Sequence, residues 1–283
     1  MIKKYLTAFL FIAVLIVAFG CKAKIKQQKD EVYSRHLQRQ VKLSIISTPM
    51  PDDKSDLNLL LLNDGQDLEK LHVKEIVDSL YRKKLIKPLI IVSIIAGDRT
   101  KEYGVSEMPD YMNHGNKADK YAAFIDNELY AFVKKKAGVR KFKSVVIAGG
   151  ALGGLSAFDI AWDHADKIDK VGVFSGSFLF TSKSLEDPGY TDANDRILLN
   201  KIKASRKKPR LAYWFYGDDA NEKGMRYMDS ITINHTKDLV ALLKTKNLPT
   251  VGEISYIENE GNSNDYSEWR HHLPAFLLWA FGK

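Results

Sequence analysis

Residues 145–158 read Val145-Val-Ile-Ala-Gly-Gly-Ala-Leu-Gly-Gly-Leu-Ser-Ala-Phe158. Four apolar residues lead into a cluster of glycines, and a run of helix-forming composition follows. This order predicts a strand, a sharp turn and a helix. Glycine is favoured in such a turn because the turn needs strained dihedral angles and because neighbouring backbone passes close to it. We expect the rest of the chain to be organised around this stretch.

The turn has the spacing of a G-x-S-x-G nucleophile elbow, in which a serine lies between small residues. In this chain the frame is Gly149, Gly150, Ala151, Leu152 and Gly153. The position of the nucleophile is therefore Ala151, whose methyl group cannot attack a carbonyl carbon. The sequence predicts a hydrolase scaffold that lacks the serine at its reactive position.

The composition is that of a globular protein, with 283 residues, 45% hydrophobic and 28% charged, and a net charge of +8. The basic residues, including 134–136 and 201–208, are interpreted as scattered solvated faces. Nucleic-acid binding is therefore disfavoured, and an anionic membrane or glycan surface fits the charge equally well. The single cysteine excludes an internal disulfide, and no histidine or carboxylate pair has metal-ligand spacing. Neither a metal nor a cofactor is expected.

The first 20 residues are predicted to be a lipoprotein signal peptide, because two lysines precede an apolar run that ends in Val17-Ala-Phe-Gly-Cys21. That ending resembles a bacterial lipobox, in which the cysteine is acylated and the leader is cut off. Residues 21–31 are then a tether and residues 32–283 a single domain. Lys22 follows the cysteine, so inner-membrane retention is not indicated, and an outer-membrane anchor in the cell envelope is expected. The alternatives are an ordinary signal peptide or an uncleaved anchor with a chance cysteine.

Strand-like and helix-like runs alternate through the domain, which predicts a mostly parallel sheet with helices on both faces. The uninterrupted apolar runs are typical of strands that are covered on both faces. A segment over residues 179–204 looks like an insertion across the sheet edge. The predicted strands are 41–45, 59–62, 89–95, 144–147, 171–174, 211–216 and 251–257, and the main helices are 68–84, 118–136, 237–245 and 269–281. Ligands of such sheets bind at the carboxyl ends of the strands.

Five motifs in chain order resemble the putative esterase family, which is related to enterochelin esterases and S-formylglutathione hydrolases. The motifs are Asn63-Asp-Gly-Gln66, Gly97-Asp-Arg-Thr-Lys-Glu-Tyr103, the 149–158 elbow, Val173-Phe-Ser-Gly-Ser-Phe178, and Trp269 before Leu273-Pro-Ala-Phe-Leu-Leu-Trp279. The resemblance covers roughly residues 32–282. It implies an α/β-hydrolase fold that cleaves esters or thioesters with a Ser-His-Asp/Glu triad and without a metal.

Two members of that triad are replaced when the family pattern is carried over. The nucleophile position is Ala151, and the histidine position, about five residues before Trp269, is Asn264. Asparagine has no titratable nitrogen that could accept the serine proton. The acid is expected after the strand that ends at Tyr216, where Asp219 is the preferred candidate. The alternatives for the acid are Asp218 and Glu222.

The rest of the family pocket is retained in the sequence. The fold makes its oxyanion hole from the backbone N–H after the nucleophile and one from an earlier βα loop, which assigns Leu152 and Gln66. Gly65 and Arg99 are further pocket residues. Arg99 has two interpretations, a substrate clamp or a loop-fixing ion pair.

Other reactive side chains have simpler interpretations. Ser156 is expected to pack within its helix rather than replace the nucleophile. His271 and His272 could act as a general base. Histidines at such positions are more typically on a helix surface or have their hydrogen bonds satisfied by neighbouring groups. His164 and His235 are expected at the surface.

Three functional hypotheses follow. The leading one is a catalytically impaired esterase-like lipoprotein, a pseudoenzyme that binds an ester-, glycan- or siderophore-like ligand or an envelope protein, and no nucleic acid. The second is an active ester hydrolase with an unorthodox site, or an engineered Ser-to-Ala variant of one. The third is an envelope scaffold that uses only its surface.

Overall fold

The computed structural model describes residues 24–218, 226–246, 248, 254–259 and 266–283. Their strands form one eight-stranded sheet in the order β1-β2-β4-β3-β5-β6-β7-β8. The strands are β1 Lys26–Ser34, β2 Arg39–Ser47, β3 Asn58–Leu62, β4 Leu89–Ile94, β5 Val145–Gly150, β6 Lys170–Phe174, β7 Ala212–Asp218 and β8 Ile254–Asn259. Strands β3 to β8 are parallel, and the β1–β2 hairpin is antiparallel to β4.

Helices connect the parallel strands. They are α1 Val73–Arg82, α2 Arg99–Glu102, α3 Ala118–Ala123, α4 Tyr130–Ala137, α5 Ala151–Asp163, α6 Asp192–Asp195, α7 Ile197–Ala204, α8 Arg226–Thr245 and α9 Tyr266–Phe281. A π-helical segment, Phe124–Leu129, joins α3 to α4, and short 3-10 turns occur at Lys54–Asp56 and Gly65–Asp67. None of the described helices is both long and apolar enough to cross a membrane.

Two apolar cores lie on opposite faces of the sheet, and β3 contributes to both. Leu59 and Leu61 belong to one core, and Leu60 and Leu62 belong to the other. Side chains of a strand alternate between the two faces, so a strand covered on both sides must be apolar throughout. All five residues of β3 are buried. The prediction of a mostly parallel sheet with helices on both faces is therefore confirmed.

Strand β1 differs from the expectation, because it begins inside the segment assigned to the tether. Residues 26–31 pair with β2 over the register from Lys26 opposite Ser47 to Glu31 opposite Lys42. Most side chains of β1 are exposed. A charged edge strand lacks the apolar alternation by which a strand is recognised, which explains why the sequence pattern assigned residues 26–31 to the tether. The tether assignment therefore applies at most to the residues before Lys26.

The segment 179–204 also differs from the expectation, because it is part of the main core. Leu198 and Ile202 of α7 are buried in the same cluster as Phe158 of α5. Lys201, on the same helix, contacts both Asp159 and Asp163 of α5, with 2.6 Å between its Nζ and Asp163 Oδ2. The segment is therefore fixed to the helix that follows the 145–158 turn.

We expect Lys201→Met to destabilise the fold by about 3 kcal/mol, because it leaves the buried Asp159 carboxylate without its cation. Lys207→Met is the matched control, since Lys207 also contacts Asp163 but is largely exposed, and it should cost less than about 1 kcal/mol. Urea unfolding measures both changes. Equal losses of unfolding free energy in the two variants would show that the burial of the ion pair at Lys201 does not add to its stabilising effect.

Candidate functional site

The turn between β5 and α5 has the backbone of a nucleophile elbow. Gly150 is extended, with φ −110° and ψ 152°, and Ala151 begins the helix with φ +48°. For a residue with a Cβ atom this left-handed conformation costs roughly 1–2 kcal/mol. Such strain is the mark of the elbow that presents a nucleophile above the sheet. The structure therefore keeps the shape of the elbow while its reactive position carries a methyl group.

Close packing explains two of the glycines in the turn. A Cβ atom on Gly149 would lie 2.5 Å from the carbonyl carbon of Gly153. A Cβ atom on Gly150 would collide with the indole ring of Trp269. The elbow therefore tolerates no side chain where the first turn of α5 and the first turn of α9 pass over β5.

Arg99 forms an ion pair with Asp64 that joins three loops of the site. Arg99 Nε lies 2.8 Å from Asp64 Oδ1, and Nη2 lies 3.1 Å from Oδ2 and 3.4 Å from the Gly150 carbonyl oxygen. The Asp64 N–H donates to the Tyr103 hydroxyl at 3.0 Å. Burial alone would lower the pKa of the Arg99 guanidinium, but the bonds to Asp64 outweigh it and raise that pKa. Of the two interpretations of Arg99, this geometry is that of the loop-fixing pair.

The proposed oxyanion residues follow two neighbouring strands of the sheet. Leu152 follows β5 in the first turn of α5, and Gln66 follows β3 in the 3-10 turn Gly65–Asp67. Gly65 packs against the end of β4, where an added Cβ atom would lie 2.8 Å from the Ser93 carbonyl carbon. The exposed Gln66 amide donates to Asp64 Oδ1 at 2.8 Å. The structure thus brings these segments to one end of the sheet.

The first turn of α9 covers the elbow. Trp269 packs on Gly150 and donates from Nε1 to the Ser175 hydroxyl oxygen at 3.2 Å. Tyr266 donates to Asp67 Oδ2 at 2.7 Å, and burial together with this bond raises the pKa of its phenol to about 12. A narrow cavity of about 20 Å³ remains between these residues and the ends of β3 and β5. That volume holds roughly one water molecule.

Ser175 is a site residue that the sequence pattern did not single out. Gly150 pairs with Phe174 on β6, so Ser175 follows at the position beside Ala151. Ser175 also has a left-handed backbone, with φ +45°, and it is buried. Its N–H donates to the Tyr216 carbonyl at 2.7 Å. The available signal was the sequence Ser175-Gly-Ser177 directly after a buried strand.

Several expected residues lie outside the described part of the chain. These are the acid candidates Asp219 and Glu222, the asparagine at the histidine position, Asn264, and the lipidation candidate Cys21. Asp218 is the last residue of β7, at the same end of the sheet as the elbow.

The other serine and histidine residues mostly behave as expected. Ser156 is buried inside α5. His272 stacks on Tyr216 with 4.2 Å between ring centroids, and burial, with help from His271, lowers its pKa. The expectation that His235 lies at the surface is wrong, because its side chain is buried and its Nδ1 lies 3.2 Å from the Phe178 carbonyl oxygen. Burial lowers the pKa of His235 as well.

Comparison with known families agrees with this geometry. Residues 34–280 match the family described as putative esterase. The chain belongs to this family. None of the curated proteins matches it.

Solved structures of esterases share the fold. A ferulic acid esterase is 18% identical, with a TM-score of 0.67, over 91% of this chain and 98% of that one. The enterobactin esterase of Shigella flexneri is 21% identical, with a TM-score of 0.66, over 91% of this chain but only 60% of that one. A siderophore hydrolase of Aspergillus nidulans is 15% identical, with a TM-score of 0.69, over 90% and 95%. These likenesses establish the α/β-hydrolase fold of this esterase-family chain.

We expect Ala151→Gly to stabilise the protein by about 1 kcal/mol, because glycine adopts the left-handed conformation without the Cβ penalty. Ala157→Gly, in the buried interior of α5, is the matched control and should destabilise by about 1 kcal/mol or more. Urea unfolding of the two variants should therefore move in opposite directions. Destabilisation by both would contradict a strained Ala151.

Proposed function

We propose that this esterase-family protein has lost acyl transfer and binds a small ester-, glycan- or siderophore-like ligand over the old reactive site, whose inner cavity of about 20 Å³ holds roughly one water molecule. The observation that carries the proposal is Ala151, which holds the nucleophile's strained position without a nucleophilic atom. Triad members act as a unit, so the loss of the nucleophile removes most of the rate enhancement. Oxyanion donors alone leave only weak residual catalysis.

The proposed loss of the general base rests on Asn264, which occupies the family's histidine position by resemblance. Three histidines elsewhere in the described part of the chain contact other groups. His114 contacts Asp110 at 2.8 Å, His164 contacts Asp126 at 3.3 Å, and His235 contacts a backbone carbonyl. Substitution at both positions favours decay of the catalytic machinery over a single engineered knockout.

A retained binding role is supported by what surrounds the elbow. Ala151 keeps a strained left-handed backbone, and the rings of Trp269 and Tyr266 pack over the turn, although the turn has no nucleophile. In addition, Met108, Tyr111 and Met112 are exposed on the loop that follows β4, at the same end of the sheet. Exposed apolar side chains grouped in one loop are typical of a contact surface for a ligand or a protein partner. The structural neighbours that act on enterobactin and other siderophores make a catechol-type acyl ligand a reasonable probe.

A second candidate function is ester hydrolysis through Ser175. This serine lies beside Ala151 in register, has the same left-handed backbone, and accepts a hydrogen bond from Trp269. It would need a base, for which His272 on α9 is the candidate. The hydrogen bond from Trp269 and the burial of Ser175 weigh against this candidate, which is why it stands second.

We also propose that the protein is anchored in the bacterial envelope, with Cys21 lipidated after removal of residues 1–20 and the outer membrane as the expected location. The support is the lipobox-like sequence alone. Mass spectrometry of the amino-terminal peptide from the native membrane fraction would detect a lipidated Cys21. A mature terminus elsewhere would argue against it.

We expect the native chain to hydrolyse a short-chain p-nitrophenyl ester only slightly, if at all, above the no-enzyme rate. Ala151→Ser should add little, and Ala151→Ser with Asn264→His should raise the rate by at least about 100-fold, because general base catalysis contributes 10²–10⁴-fold. The control is Ser175→Ala in the native chain. Clear turnover by the native protein that Ser175→Ala abolishes would replace the first candidate with the second.

We expect 2,3-dihydroxy-N-benzoyl-serine, the compound present in one Shigella flexneri esterase structure, to bind the native chain. Ala151→Asn should weaken binding at least about tenfold, because asparagine tolerates the left-handed backbone while its larger side chain fills the site. Ala151→Gly is the matched control and should bind like the native chain. Isothermal titration measures all three. Unchanged binding by Ala151→Asn would place the ligand elsewhere.

A further inference from the structure

Exposed basic residues concentrate in three segments that lead into parallel strands. The segments 83–88, 138–144 and 205–211 precede β4, β5 and β7 and contain no acidic residue. Their exposed basic residues are Lys83, Lys84, Lys87, Arg140, Lys141, Lys143, Arg206, Lys207, Lys208 and Arg210. We call this set the basic edge.

The register of the sheet places these segments at the same end of the sheet. Asn58 pairs with Leu89, Leu59 with Val145, and Lys170 with Ala212, so the first residues of the parallel strands are aligned. The segments that precede them therefore lie at one end of the sheet. They are separated there by the segments before β3 and β6, which contain Asp52, Asp53, Asp56, Asp166 and Asp169. This end is opposite the carboxyl ends of the strands, where Ala151 lies. These residues are solvated, as the sequence predicts, but they are grouped at one end of the sheet rather than scattered.

Most charges of the basic edge are not neutralised within the described part of the chain. Lys143 has a distant partner, 3.8 Å from Asp56, and Lys207 pairs with Asp163, whereas the other members form no ion pair there. The positive charge of the basic edge also acts on Lys170, at the start of β6. Burial and then Lys87 lower the pKa of its ammonium group. Such a surface favours an anionic partner.

The opposite end of the molecule has the opposite tendency. Acidic residues outnumber basic ones in the loops 63–72 and 175–196, which follow β3 and β6 beside the elbow. The molecule therefore has a charge asymmetry along the strand direction. A uniformly anionic surface would attract the basic edge and repel the loops near Ala151.

The chain enters the domain at the basic edge. Lys26, the first residue of β1, pairs with Ser47, and Ser47 pairs with Ile90 at the start of β4. Cys21 precedes Lys26 by five residues, which span at most about 18 Å when fully extended. A lipid on Cys21 would hold the basic edge close to a bilayer.

We propose that the basic edge docks on an anionic phospholipid bilayer and points the loops around Ala151 away from it. The choice of partner rests on the proposed lipidation of Cys21 and on the position at which the chain enters the domain. It does not depend on whether the elbow binds a ligand. Clustered lysines and arginines next to a membrane attachment point are the sequence feature of such surfaces. Nucleic acid is the competing anionic partner, and nothing at the chain entry favours it.

The test uses the full chain with vesicles of phosphatidylcholine, alone or with phosphatidylglycerol. An amine-reactive reagent modifies exposed lysines, and mass spectrometry follows each site. Acylation of Lys84, Lys141 and Lys208 should slow at least about threefold on anionic vesicles and recover in 1 M salt, where the Debye length is about 3 Å. Lys101 and Lys120 lie toward the other end of the molecule and should react at an unchanged rate.

Matched variants separate docking from anchoring. The triple variant Lys84→Gln, Lys87→Gln and Lys141→Gln should lose the anionic protection of Lys143 and Lys208. The control triple variant Lys101→Gln, Lys117→Gln and Lys120→Gln should keep it. Circular dichroism checks that both remain folded. The measured quantity is the difference in lysine acylation rate between neutral and anionic vesicles. A lipid anchor that inserts equally into both vesicle types does not change this difference.

Three outcomes would overturn the proposal. One is absence of binding to anionic vesicles at low salt. Another is equal protection of lysines at both ends of the molecule, or equal protection on neutral and anionic vesicles. The third is protection of the basic edge by a single-stranded RNA oligonucleotide and not by vesicles, which would point to nucleic acid.

Discussion

The left-handed backbone of Ala151 is the constraint on which the arrangement of the site depends. A strand can turn into a helix this sharply only if one residue accepts an unfavourable dihedral angle and the closely packed residues before it carry no side chains. Gly149 and Gly150 meet that requirement, and the space they leave is filled by the first turn of α5 and by Trp269. The Arg99–Asp64 pair then joins the loops after β3 and β4 to the end of β5. The backbone of the elbow and its packed surroundings are therefore formed around an alanine.

The contacts around the elbow also connect distant parts of the chain. Asp67, in the turn that carries Gln66, accepts hydrogen bonds from Tyr266 and contacts Lys70 at 2.8 Å. Trp269 joins α9 to both β5 and the Ser175 turn. The start of α9 is therefore held to the same loops that would form an oxyanion hole. A ligand that displaced Trp269 or Tyr266 would disturb all of these loops together.

Sequence patterns predicted the parts of the fold that are determined by a few consecutive residues. The apolar run of β3 and the glycine frame at 149–153 contain enough information to place a buried strand and a strained turn. The first residues of β1 were assigned to the tether because a charged edge strand has no apolar alternation. His235 was misplaced because its burial depends on packing of α8 against the Phe178 segment. The basic edge was missed because its three segments are far apart in sequence and lie at one end of the molecule only through the register of the sheet.

Strand β1 has one more consequence, which concerns self-association. It is an outer strand of the sheet, and an outer strand offers unpaired backbone groups to any other chain with a free strand. Lys26, Lys29 and Glu31 are exposed along it, and charged side chains on an edge strand oppose pairing with a second sheet. Copies held at high density on a bilayer would meet sideways far more often than in solution. On the bilayer, the charged side chains of β1 would keep neighbouring copies from pairing into a continuous sheet. The same charges are the reason that the sequence pattern of β1 does not resemble a strand.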